Sequence, residues 1–132
     1  MNLIIDIGNT LTKVSVVNGQ EVVFFNRYER LQPNDIENVV VQFKPQKAIY
    51  SAVGAIPTEA IGMMKQLIPY TLELTHSTPV PLLNLYASKV TLGLDRLAVA
   101  VGASYLYPNT NLLVIDSGTA ITYELVTSKG EY

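Results

Sequence analysis

One pattern occurs twice in the 132 residues of this chain, and it constrains the fold more than any other feature. Residues 2–17 read NLIIDIGNTLTKVSVV and residues 111–126 read NLLVIDSGTAITYELV. In each, an apolar strand ends in Asp, passes through Gly within two residues and continues through Thr into a second strand. Such self-similarity marks a duplicated unit. The second copy holds only its first hairpin, so the chain reads as a fragment of something longer.

The intervening sequence alternates between strand and helix signals. Strands are expected at residues 2–7, 11–18 and 21–27, with Asn18-Gly19 a strong hairpin cue. Pro33-Asn34-Asp35 predicts a helix over 33–43, and KAIYSAV predicts a buried strand over 47–53. A helix over 57–68 is bracketed by Pro57 and Pro69, and YTLELT alternates as a strand over 70–75. Residues 76–92 read as a loop with one helical turn. A helix over 94–107 ends at Pro108, and strands follow at 111–116 and 119–127. Mixed strands and helices behind a hairpin-led start predict an α/β fold with a mixed sheet. The expected division is a first domain over 1–108 and the start of a second over 109–132.

Composition excludes several classes. Charged residues are 15% of the chain against a usual value near 25%, and apolar residues are 48%, so general disorder is ruled out. There is no cysteine, hence no disulfide or thiolate metal site, as a reducing cytoplasm allows. One histidine, His76, leaves little for a histidine zinc site or a serine–histidine triad and reads as structural. The net charge is −2 with no basic run, which argues against nucleic acid. The opening MNLIIDIGNT has no cationic stretch and an apolar run broken by Asp6, unlike a signal peptide or membrane span.

The candidate chemistry lies in three places. Glycine turns between strands let backbone N–H groups approach a phosphate closely. Asp6, Gly8 and Thr10 offer one such turn; Asp116, Gly118 and Thr119 offer the other. A strand-end aspartate suits Mg²⁺, which takes a few carboxylates and several waters. Two such turns facing each other would grip a polyphosphate, although either alone is equally an ordinary hairpin turn. Lys13 follows as a point charge for a phosphate or as a solvated strand lysine. The third place is Gly93-Leu94-Asp95-Arg96, where the proline-containing loop enters a helix. Asp95 is read either as a helix-terminal carboxylate complementing the dipole or as the acceptor of a substrate hydroxyl proton. Arg96 would hold a nearby anion. Tyr86 is a substrate contact or a packing tyrosine. The small residues Ala98 to Ala103 read as core or subunit contact.

Three segments together resemble type III pantothenate kinases, also described as the Bvg accessory factor family. They are Asp6-Ile7-Gly8-Asn9-Thr10 with Lys13, Tyr86 with Leu92-Gly93-Leu94-Asp95-Arg96, and Asp116-Ser117-Gly118-Thr119-Ala120 with Thr122. The resemblance spans essentially the whole chain. It implies the actin and sugar-kinase superfold, two ribonuclease-H-like domains with ATP in the cleft between them. It implies ATP and magnesium contacts from Asp6, Ile7, Gly8, Asn9, Thr10, Leu11, Thr12 and Lys13, with Asp6 reaching magnesium through phosphate and Thr119 meeting ATP. Tyr86, Gly93, Leu94, Asp95 and Arg96 would bind pantothenate, with Asp95 the base. Asp116 would hold a monovalent cation, potassium or ammonium. The resemblance also implies a cytoplasmic homodimer whose substrate site is completed by the partner subunit.

Phosphoryl transfer asks mainly for positioning and charge neutralisation, which carboxylates, glycine turns, one lysine and one arginine supply. Two other readings share these features. One is a nucleotide-binding regulator without catalysis; the other is a related kinase with a different hydroxyl substrate. The 132 residues alone are expected to be inactive, with apolar strand edges exposed on the final hairpin.

Overall fold

The apolar run of the first segment becomes a strand with one buried and one open face. In the computed structural model, which describes residues 1–118 and 120–132, β1 (Asn2–Ile7) buries Leu3, Ile5 and Ile7 to 1% exposure or less. It turns into β2 (Thr12–Asn18), which buries Val14 and Val16 on the same face. Gly19, with φ at +63°, then supplies the left-handed residue that the hairpin to β3 (Glu21–Tyr28) requires. A crossover through α1 (Pro33–Phe43) brings β4 (Lys47–Ala52) parallel to β1. A second crossover through α2 (Thr58–Leu67) brings β5 (Tyr70–Glu73) parallel to β4.

The resulting mixed sheet runs β3-β2-β1-β4-β5, the strand order of a ribonuclease-H-like domain. Ile36 and Val39 of α1, and Ala60, Ile61 and Met64 of α2, cover the buried face. Burial of that apolar surface is the main stabilising term here. These elements form one compact unit, Met1–Leu74.

The second compact unit, Thr75–Tyr132, carries a 3-10 turn at Lys89–Thr91, α3 (Leu94–Leu106), β6 (Leu112–Ser117) and β7 (Ile121–Val126). β6 and β7 pair antiparallel, with Leu112 opposite Val126, Val114 opposite Glu124 and Asp116 opposite Thr122. That face packs on α3 through Val126, Leu112 and Ala100. The other face carries Leu113, Ile115, Ile121, Tyr123 and Leu125, each 58–69% exposed. The apolar exposure expected at the strand edges is thus on a whole face of the hairpin. Backbone hydrogen bonds also pair Leu83 and Leu85 with Gly130 and Tyr132 at 2.8–2.9 Å.

Packing divides the chain after Leu74, whereas the repeated sequence begins at 111. The two boundaries measure different things, compactness and duplication. α3 packs with β6 and β7 within the second unit. Among the described residues, no helix is long and apolar enough to cross a membrane.

At the end of β1 the backbone is crowded. Val53 and Gly54, just past β4, both donate N–H to the Ile7 carbonyl, at 3.0 and 3.3 Å. A Cβ on Gly54 would stand 2.4 Å from the Gly8 carbonyl oxygen and 3.2 Å from the Asn9 Cα. No flexible side chain is there to yield. Gly54→Ala is therefore predicted to cost about 1–3 kcal/mol by overpacking. Urea unfolding of the two proteins checks this, and an unchanged midpoint contradicts it.

Candidate functional site

The turn after β1 is built from backbone. The Gly8 N–H donates to the Leu11 carbonyl at 3.1 Å, and a Cβ on Gly8 would meet that oxygen at 2.9 Å. Asn9 and Thr10 sit exposed at the tip. Among the described residues, their backbone N–H groups make no hydrogen bond. Successive N–H groups without partners beside a glycine can receive an anion.

Asp6 and Lys13 are register partners on β1 and β2, so their side chains leave the same face. Lys13 Nζ lies 3.2 Å from Asp6 Oδ2, with the side chains 51% and 34% exposed. Such an exposed pair contributes little, typically under about 1 kcal/mol, so either partner re-pairs readily with a phosphate or a cation. Ile7 and Thr12 are buried, which limits their contribution to a nucleotide to backbone atoms. Leu11 is half-buried beside them.

The second cluster forms where the loop enters α3. His76 Nε2 donates to the Leu92 carbonyl at 2.8 Å, a structural role that fixes the backbone just before Gly93. Asp95 is exposed on the first turn and accepts the Arg96 N–H at 2.9 Å through Oδ1. A Cβ on Gly93 would fall 2.4 Å from that same oxygen. Glycine therefore leaves room for the Asp95 carboxylate in this position. Leu94 is buried and anchors the helix start.

Arg96 is the centre of this cluster. Its Nε and Nη2 donate to the two carboxylate oxygens of Glu124 at 2.7 and 2.9 Å, a two-pronged pair. Its Nη1 lies 3.4 Å from the Tyr86 hydroxyl, and its guanidinium sits 5.3 Å from the Tyr86 ring centroid. Tyr86 stacks in turn on Tyr132, ring centroids 6.4 Å apart. The Tyr132 hydroxyl donates to Glu124 Oε2. Tyr86 thus joins Arg96, as a packing partner for its guanidinium.

Sequence reading missed Glu124, which is 1% exposed. The available signal was its place in the inward-facing set Thr122, Glu124, Val126 of an alternating strand. Burial opposes its charge, but hydrogen bonds from Arg96, Tyr132 and Thr122 outweigh it and hold the carboxyl below the usual carboxylate range. The Thr122 hydroxyl is buried without a hydrogen bond of good geometry, so its help to Glu124 is the weakest of the three. Burial and then Glu124 push the Tyr132 phenol up.

Asp116 is exposed at the end of β6, opposite Thr122. Thr119 lies outside the described residues. No cluster of three or more His, Asp or Glu able to enclose a metal occurs among the described residues. The single carboxylates of Asp6 and Asp116 fit cations completed by water, backbone or phosphate oxygens, as magnesium prefers.

The folded-state shift of Glu124 is downward, so its stabilisation is present above its ordinary value of 4.5 and disappears as pH falls through the lower folded value. Acid titration should show unfolding free energy falling below about pH 4.5. In Glu124→Gln that limb is predicted to flatten, with a loss at neutral pH on the order of 3 kcal/mol from leaving Arg96 without its partner. Identical acid limbs in the two proteins would contradict this.

The family profile described as type III pantothenate kinase matches residues 2–132. A protein of that name from Porphyromonas gingivalis is 43% identical over 131 residues, covering 99% of this chain and 53% of that protein. One from Bacteroides fragilis is 39% identical over 132 residues, covering 100% of this chain and 54% of that protein. Among solved structures, a Ppx/GppA phosphatase of Aquifex aeolicus is similar at a TM-score of 0.44 and 15% identity, over 96% of this chain and 48% of that one. The chain spans about half the length of the curated relatives it matches. On the strength of the profile, which extends through the β1 turn, the α3 entrance and the final hairpin, this chain belongs to the type III pantothenate kinase family.

Proposed function

We propose that this chain carries part of the machinery for ATP-dependent phosphorylation of pantothenate, the first committed step of coenzyme A synthesis. The supporting observation is the α3 entrance, where Gly93 leaves room for an exposed carboxylate beside an arginine held by Glu124. In this reading Asp95 takes the proton of the substrate hydroxyl, so that its oxygen attacks the terminal phosphorus of ATP. A carboxylate does this by position, without an unusual pKa. Arg96 holds the pantothenate carboxylate. Tyr86 and Leu94 shape the site around it.

The β1 turn, from Asp6 through Lys13, receives the phosphates, with Asn9 and Thr10 offering N–H groups and Lys13 a charge. Thr119 meets ATP as well. Magnesium beside Asp6 would neutralise charge on the phosphate oxygens. A monovalent cation, potassium or ammonium, would be held at Asp116. The protein is proposed to act as a cytoplasmic homodimer, with residues 1–108 and 109–132 belonging to its first and second domains.

The test is ADP release by the protein at its relatives' full length, offered pantothenate and a panel of other hydroxy acids. Turnover specific to pantothenate is expected. ADP release with another hydroxy acid alone points to a different kinase, and ATP binding without any acceptor-dependent release points to a regulator. Asp95→Asn should lower kcat by about 10²–10⁴-fold, the usual contribution of a general base. Equal turnover by the variant would remove Asp95 from that role.

A further inference from the structure

Arginine presents two edges for two-pronged pairing, Nε with Nη2 along its side and Nη1 with Nη2 at its end. Glu124 occupies the side edge of Arg96, with distances of 2.7 and 2.9 Å. The end edge keeps one further N–H on Nη2, and its Nη1 makes only a long hydrogen bond to the Tyr86 hydroxyl at 3.4 Å. We infer that Glu124 is a positioning residue for substrate: it turns Arg96 so that only its end edge is offered to an anionic group of the acceptor. The inference rests on the proposed role of Arg96 in holding the pantothenate carboxylate.

Three features support this. Glu124 is 1% exposed and Arg96 is 26% exposed by side chain, so the carboxylate is hidden while part of the guanidinium remains accessible. A buried carboxylate without a partner is costly, which ties Glu124 to Arg96 and discourages other rotamers. Tyr132 donates to Glu124 while stacking on Tyr86, and Tyr86 lies over the guanidinium. The guanidinium is therefore held from its side edge and from one of its faces. Of its five N–H groups, that of Nε and one on Nη2 go to Glu124 and one on Nη1 makes the long 3.4 Å contact with the Tyr86 hydroxyl. An incoming carboxylate would therefore bind at the end edge and displace that weak contact.

An arginine that contacts substrate equally in the ground and transition states changes KM and leaves kcat alone. In the protein at its relatives' full length, Glu124→Gln should raise KM for pantothenate about tenfold, with kcat and KM for ATP within about twofold. Glu124→Asp keeps the charge and should recover much of the loss. A fall in kcat with KM unchanged, or wild-type KM in both variants, overturns the proposal. Because the glutamine variant is less stable, the environment of Arg96 is also read directly. In ¹⁵N spectra the Arg96 Nε–H, identified by its loss in Arg96→Lys, should exchange slowly in the wild type and faster, at a shifted position, in Glu124→Gln and less so in Glu124→Asp. An unmoved signal overturns the inference. If the wild type fails to turn over pantothenate, the functional reading fails, and the Nε–H signal alone decides whether Glu124 orients Arg96.

Discussion

The first unit depends on β1 being hydrogen-bonded along both edges, antiparallel to β2 and parallel to β4. A strand held this way cannot slip by one residue without turning Leu3, Ile5 and Ile7 out of the core. Register therefore also decides where the polar residues go. Asp6 must leave the opposite face, and its register partner Lys13 must stand beside it. The same double pairing delivers the end of β4 to the end of β1. Gly54 then lies against Gly8, and the turn holding Asn9 and Thr10 is backed by backbone on that side.

In the second unit the organising contact is ionic. Glu124 lies on the face of the β6–β7 hairpin that packs on α3, among Thr122, Val126 and Leu112, and Arg96 reaches it from the first turn of the helix. A hydrophobic pair of similar size could stabilise the junction as well or better, since desolvating two charges is expensive. What the ion pair adds is orientation. A guanidinium gripped along one edge has a defined remaining edge, which a flexible surface arginine lacks. The Tyr86 ring reinforces this by lying beneath the guanidinium while it stacks on Tyr132.

Much of this was legible from local sequence. The apolar run NLIIDI and the alternation in LTKVSVVN gave β1 and β2, and Asn18-Gly19 gave the hairpin that follows. Pro33 and Pro57 marked helix starts within a residue, because proline acts through its own ring and fixed φ. Gly8, Gly93, Asp95 and Arg96 stood out as chemistry-bearing groups for local reasons. Gly54 did not, because its need for a missing Cβ arises from the parallel pairing of strands more than 40 residues apart in sequence. Glu124 was overlooked for a related reason. Its strand alternates, yet the inward position of a charged residue has meaning only once Arg96 is known to lie opposite. The loop over 76–92 shows the same limit: its prolines marked it as irregular, while the His76 to Leu92 hydrogen bond and the pairing of Leu83 with Tyr132 depend on the folded unit.

In the proposed reading the two clusters divide the labour of phosphoryl transfer by chemistry: backbone N–H groups and one ammonium for phosphate, one carboxylate and one guanidinium for the alcohol substrate. The claim on which this rests is that the turn after β1 is a phosphate site. Amide spectra of the protein at its relatives' full length, recorded while a non-hydrolysable ATP analogue is added with magnesium, measure it directly. The account predicts the largest shifts at Gly8, Asn9 and Thr10, with Gly54 following because it lies against Gly8. Saturable binding that leaves those amides unmoved would contradict it.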